Sequence, residues 1–314
     1  MKLSVVLPAK DDSCFRKSVE SILMQKEHDY ELLILCDEIQ ENDTAYENYL
    51  VHEYPHIRIL TSKQRESYCL ENSGIYSALG DYILFMKAGD EFISNNAFSL
   101  LMEEMRDLPD ILMFPYDTAS ENTVVSEHQT VGNTFLQMLH QGIFDPDVSL
   151  YCYKRSLLYK YQLNFYSGIQ LKDIYFTLQV CAYLHTYALI TKPLYRYPRK
   201  RLHKENWLTD ILLLLDIFET EQKYMEHDMG QFVLEYLAHL YIYVVLFYDR
   251  QKKQEVLWRQ IANHQTILHY HENPVIRKLG FFYKFYGYGG MVCVLKIYNK
   301  IIGGHYGECC NLYY

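Results

Sequence analysis

The sequence predicts an α/β fold: a mostly parallel sheet with helices on both faces, followed by a helical C-terminal region. Three short apolar runs carry that expectation, LSVVLP (residues 3–8), ELLILC (31–36) and DYILFM (81–86). Each is almost continuously hydrophobic, as strands covered on both faces are. Each also runs into polar residues: Lys10, Asp11 and Asp12, then Asp37 and Glu38, then Lys87, Asp90 and Glu91. Ligands in such sheets bind where the carboxyl ends of the strands open into loops. The candidate site therefore lies at that edge.

The elements follow in order. Strands are expected at 3–8, 31–36, 57–60 and 82–86, with helices between them at about 13–26, 43–53 and 66–79. This alternation is a βαβ series with right-handed crossovers. Ser13 is a candidate cap for the first helix, whose Phe15, Val19, Ile22 and Leu23 share one face. A helix over 96–105 leads to a strand over 110–116. The polar stretch 118–133 reads as a loop or hairpin crossing the site. Beyond it come a strand-like SLYCYK (149–154) and a helix from about 173 to 184. After Asn206 the chain turns helical and apolar, with segments at 207–225, 230–249 and 253–270. The expected division is a first domain over 1–205 and a helical region over 206–314.

Composition narrows the function classes. A net charge of −9 argues against nucleic-acid binding, which leaves a basic footprint. The eight cysteines form no CxxC pair, and Cys309 and Cys310 are adjacent. That pattern suits reduced thiols in a cytoplasmic setting rather than a zinc knuckle or a disulfide frame. The apolar run at the N-terminus is too short for a signal peptide. No stretch reaches the roughly 20 apolar residues of a membrane span; residues 232–249 come nearest, interrupted by Glu235 and His239. The 31 tyrosines suit sugar stacking or interfaces, and equally ordinary core and surface roles.

Several motifs stand in a fixed order: SVVLPAKD, SVESILMQ, ELLILCD, Asn72-Ser73-Gly74, ALGDYILFMKAGDEF, SGIQLKDIYF and KPLYRYPRK. Together they resemble the GT-A glycosyltransferases of family 2, inverting enzymes of bacterial polysaccharide assembly. The resemblance covers roughly residues 3–200 and implies a Rossmann-like GT-A domain. It further implies a nucleotide-sugar donor, UDP-linked in the leading reading, and a hydroxyl acceptor on a surface glycan or lipid-linked precursor. The alternative is a non-catalytic relative that binds or positions an active transferase.

In that family an Asp-x-Asp turn after the fourth strand holds a divalent ion against the donor diphosphate, because a hard cation needs oxygen ligands. Here the turn reads Lys87-Ala88-Gly89-Asp90, which leaves Asp90 as the one candidate metal ligand. The implied cofactor is thus none, or a weakly bound Mg²⁺ or Mn²⁺. The family's Arg-Asn-x-Gly becomes Glu71-Asn72-Ser73-Gly74, and Lys10 stands where an aromatic often stacks on the donor base. The expected donor pocket is Pro8, Ala9, Lys10, Asp37, Asn72, Lys87 and Asp90. Asp37 would accept from a uracil imide, or be a solvated strand-end acid. Lys87 would supply the metal's positive charge, or pair with Glu71 in a pocket that has lost its donor. Asp90 is a donor contact or a turn stabiliser.

Asp173 holds the second position of the family's Glu-Asp motif, with Lys172 in place of the Glu. It is the expected general base; the bland alternative is a helix cap. His185, His203, His269 and His271 read as structural or surface residues. The segment from Asn273 to Gly307 has no acid but carries Arg277, Lys278, Lys284, Lys296 and Lys300 among Phe and Tyr. Residues 273–314 are therefore an expected contact with anionic membrane lipid, or a tail packed on the helical region. The expected location is cytoplasmic, peripheral on the inner face of the membrane.

Overall fold

The computed structural model describes residues 1–9, 13–37, 45–62, 69–115, 131–196, 207–225, 227–247 and 255–302. Lys10 and His203 lie outside these residues, as do the polar stretch 118–130 and the end of the tail.

The first half alternates strand and helix: β1 (Leu3–Pro8), α1 (Ser13–Leu23), β2 (Tyr30–Asp37), α2 (Ala45–Glu53), β3 (Ile57–Ser62), α3 (Leu70–Ser77) and β4 (Tyr82–Phe85). Next come β5 (Glu91–Phe92), α4 (Ala97–Glu104), β6 (Ile111–Met113), α5 (Val131–His140) and β7 (Tyr151–Lys154). The region closes with α6 (Arg155–Tyr161), α7 (Lys172–Ala182), β8 (Tyr187–Leu189) and β9 (Tyr195–Arg196). Helices α8 (Trp207–Glu221), α9 (His227–Phe247), α10 (Glu255–Asn263), α11 (Pro274–Arg277) and α12 (Leu279–Ile302) follow.

One seven-stranded sheet, ordered β3-β2-β1-β4-β7-β6-β8, carries the fold. Its β1–β2, β2–β3, β1–β4 and β6–β8 pairings are parallel, while β7 runs antiparallel to both neighbours. A separate pair joins β5 to β9, with Phe92 opposite Tyr195. The apolar runs of the sequence become β1, β2 and β4, buried on both faces. Helix α3 lies so close to β1 that a Cβ on Gly74 would come within 2.5 Å of Val6, which is why that position holds glycine.

The two ends of the parallel strands differ in chemistry. At the amino ends, buried Glu31 takes Ser4 Oγ, the Leu79 N–H and Arg58, a satisfied structural network. At the carboxyl ends stand Pro8, Asp37 and the turn after β4. Because β7 is antiparallel, its start lies beside the end of β4, with Leu84 opposite Cys152. That reversal adds residues 145–150 to the functional edge.

Boundaries move where local packing overrides pattern. The strand expected over 149–154 begins at Tyr151, because Val148–Leu150 form a 3-10 turn. The loop expected to reach 133 gives way to α5 at Val131. The helix expected over 253–270 stops at Asn263 and continues as a 3-10 segment over Gln265–Tyr270.

Helix α9 is long and apolar enough to cross a membrane over Asp228–Leu246, and 89% of that window is buried inside the protein. It packs against α5, α7 and α8. Phe232 meets Phe135 and Phe144 edge-on, at 5.3 and 4.9 Å between ring centroids. The described cysteines are free thiols.

Candidate active site

Four segments converge at the carboxyl edge of the sheet. The first is the turn after β4. Met86 donates its N–H to Val6, and Asp90 donates back to Lys87, closing the turn. Gly89 has φ +102°, a backbone region that L side chains rarely adopt, so the second Asp-x-Asp position cannot carry an acid here without strain. Its N–H donates to Ser18 on α1 at 2.9 Å.

Lys87 sits at the centre. Its Nζ is 2.7 Å from Asp173 at the start of α7 and 2.7 Å from Asp147 before β7. The side chain stays 37% exposed while both carboxylates are buried. Burial works against the charged amine, but Asp173 and Asp147 overcome it and hold the Lys87 pKa well above its ordinary value. The Asp173 carboxyl is pushed up by burial, with Lys87 pulling the other way. Asp147 is fixed on its other oxygen by the Ser149 N–H and hydroxyl, at 3.0 and 2.8 Å.

The alternative pairing of Lys87 with Glu71 is not what the structure holds. Glu71 Oε1 meets Lys172 Nζ at 2.5 Å instead. Lys87 is committed to Asp147 and Asp173 instead.

Asp90 is turned inward, 2% exposed. Its Oδ2 accepts both the Lys87 N–H and the Tyr195 hydroxyl, each at 2.9 Å. Burial pushes its pKa up to about 7 against those two donors. A buried carboxyl that already accepts two donors on Oδ2 does not offer the several fixed oxygens that a divalent ion on a diphosphate needs. The donor set at this turn does not fit such an ion.

Asn72 likewise serves the protein. Its amide donates to the Phe165 carbonyl at 2.9 Å and accepts the Phe165 N–H at 2.8 Å. Phe165 in turn stacks on Phe176 of α7, with centroids 4.1 Å apart and planes 2° off parallel. Asn72 and the Glu71–Lys172 pair therefore clamp the loop that presents Asp173. Pro8 and Ala9 leave β1 at the same edge, Ala9 donating to Leu35 at 2.8 Å. Asp37 ends β2 opposite Ser62.

Two residues that matter here were not anticipated. Asp147 sits in the DPDVS turn, where a repeated acid beside a proline was the available signal. Asp210, buried on α8, accepts the Gln170 and Leu171 N–H groups at 2.6 and 3.1 Å, capping the approach to α7 from the helical region. An acid on the apolar face of TDILLLLD was its signal.

The model of glycosyl transferase family 2 matches residues 4–168. An uncharacterized glycosyltransferase, YibD of Escherichia coli K12, is 26% identical over 224 residues, spanning 65% of this chain and 64% of that protein. Among solved structures, Staphylococcus aureus TarS 1–349 in complex with UDP superposes with a TM-score of 0.70 at 13% identity, covering 96% of this chain and 92% of TarS 1–349. The same fragment with UDP-GlcNAc gives 0.67 at 12% identity, with the same coverage. The mannosyltransferase PcManGT of Pyrobaculum calidifontis, with GDP-Man and Mn²⁺, gives 0.53 at 10% identity over 96% of this chain and 87% of that one. These structures share the GT-A fold with this chain.

Proposed function

Because the chain belongs to glycosyl transferase family 2, we propose that it moves a sugar, with inversion, from a nucleotide-diphosphate sugar to a hydroxyl of a surface-glycan or lipid-linked acceptor, with Asp173 as the base. The observation that carries this reading is the Asp173 carboxylate, buried in the first turn of α7 and ion-paired to Lys87 at the carboxyl edge of the sheet.

In such a transfer the acceptor oxygen attacks the anomeric carbon, and the bond to the nucleoside diphosphate breaks with its electron pair. The acceptor proton passes to Asp173. Burial strengthens that carboxylate as a base, while Lys87 and the helix N-terminus keep it ionised. Lys87 also brings positive charge to the place where the family puts a metal, so the reaction depends weakly on divalent ions. Asp37 at the end of β2 suits a uracil imide, in keeping with the UDP and UDP-GlcNAc held by TarS. The transferase unit is residues 1–205, with 206–314 as its helical support.

Helix α12 exposes Phe285 (78%) and Tyr286 (70%), with Arg277 and Lys278 just before it. That combination supports contact of 273–314 with anionic lipid on the cytoplasmic face, beside a lipid-linked acceptor.

One set of observations favours the non-catalytic reading: Asn72 and Asp90 use their polar atoms on the protein itself. Calorimetric titration of UDP and of UDP-sugars in EDTA separates the two. Binding that survives the chelator supports the transferase; no nucleotide binding with or without Mn²⁺ supports the positioning role.

A further inference from the structure

Away from the sheet edge, three histidines and two glutamates gather where α5, α9 and the chain after residue 270 meet. Glu235 and His239 are four residues apart on α9 and share one face. His239 Nε2 lies 2.9 Å from Glu272 Oε2, and His271 Nδ1 lies 3.2 Å from the same oxygen. The two imidazole rings overlap, with centroids 4.4 Å apart and planes 33° from parallel. Behind them Glu235 bonds to Glu272 and stands 2.6 Å from Nε2 of His140 on α5.

One detail is hard to explain with protons alone. The Asn273 N–H points at His271 Nδ1 from 3.0 Å. An amide only donates, so this nitrogen presents a lone pair. The Glu272 oxygen beside it also presents lone pairs, and two such atoms 3.2 Å apart repel unless a cation joins them. The His239 side chain is 5% exposed, so the cluster is buried and not a surface chelate.

We propose that His239, His271 and Glu272 bind one divalent transition ion of the zinc type, with Glu235 and His140 as the outer shell that orients them. Two imidazoles and one carboxylate are a zinc-type donor set, whereas Ca²⁺ and Mg²⁺ prefer oxygen alone. Ligand atoms about 2.1 Å from a tetrahedral ion stand about 3.4 Å from one another. The 2.9 and 3.2 Å separations are close to that spacing, and the ligand atoms of the three residues all lie within 4.8 Å. Glu235 linking Glu272 to His140 is the kind of supporting bond that tunes metal ligands. The ion would fasten the helical region to α5. It is separate from the turn at Lys87 and independent of the donor chemistry.

The test uses the full-length, untagged chain. Protein purified without chelator is assayed for bound metal by mass spectrometry, then stripped with EDTA and titrated with Zn²⁺ and with Co²⁺. The expected result is about one ion per chain, tetrahedral ligand-field bands with Co²⁺, and a Tm raised by Zn²⁺. Glu272→Gln and His239→Gln should weaken binding at least about 100-fold, and Glu235→Gln about 10- to 100-fold. The exposed His269→Gln should bind as the wild type does. Stripped wild-type protein that gains neither Co²⁺ bands nor Tm overturns the proposal without recourse to any variant. So does binding that is lost in His269→Gln and kept in Glu272→Gln, which marks an adventitious surface site.

Discussion

Glu71 and Lys172, 101 residues apart in the chain, meet in an ion pair of 2.5 Å between α3 and the start of α7. Each departs from the family pattern alone: an anion replaces the expected arginine, and a cation replaces the expected glutamate. Together they are opposite in sign and sit on the two elements that position Asp173. The two departures form one reciprocal exchange.

That exchange predicts a double-mutant cycle. Glu71→Lys and Lys172→Glu should each destabilise the protein, since each sets like charges against one another in a partly buried place. The reciprocal double variant should recover most of the loss, with a coupling of about 1 kcal/mol by urea denaturation. Additive losses would mean the pair contributes nothing.

Lys87 is the counter-ion of two buried carboxylates. Lys87→Met should leave Asp147 and Asp173 uncompensated and cost about 2 kcal/mol at neutral pH, below the usual range for a fully buried pair because water reaches the lysine. Removing the amine also raises the Asp173 pKa further. The loss should therefore shrink on acidification, as the carboxyls take up protons, and the acid limb of any rate profile should move to higher pH. Equal destabilisation at pH 5 and 8 would contradict the pairing.

Asp90 makes the opposite pH statement. Its carboxyl rises from an ordinary 3.8 to about 7 in the fold. Between those values the folded chain holds a proton that the unfolded chain has released, so stability contributed by Asp90 is full below about pH 4 and falls as pH rises toward 7. Asp90→Asn keeps an oxygen for the Lys87 N–H and the Tyr195 hydroxyl. Its denaturation series should lack up to about 1.4 kcal/mol per pH unit of that slope. A wild-type slope unchanged by the substitution would place the titration elsewhere.

How much of this was legible follows from what each feature depends on. Strands β1, β2 and β4 were readable because burial on both faces leaves a continuous apolar run. The two-residue strands β5 and β9 carry no such run; Phe92 and Tyr195 pair only because the turn at Asp90 brings them together. The motif marks Asp173 but carries no sign of its burial. Lys87 stands out in the motif, but its partner Asp147 reaches it through the antiparallel β7, a reversal that no local pattern announces. The motif predicts Asn72 as a donor contact; its amide clamps Phe165, a contact across 93 residues that no local pattern announces.

The exposed Phe285 and Tyr286 of α12, with Arg277 and Lys278 just before it, predict lipid binding. Deleting 273–314, or reversing charge at Arg277 and Lys278, should release the chain from anionic vesicles in flotation, and high salt should act in the same direction. Vesicle binding indifferent to all three would assign the tail to packing alone.

If Asp173 takes the acceptor proton, the transfer rate with a UDP-sugar panel and a glycan acceptor extract, in EDTA, separates wild type from Asp173→Asn. UDP affinity is measured on the same samples. The variant should be slower by roughly two to four decades, with UDP binding little changed. Equal transfer rates in the two proteins would contradict that role.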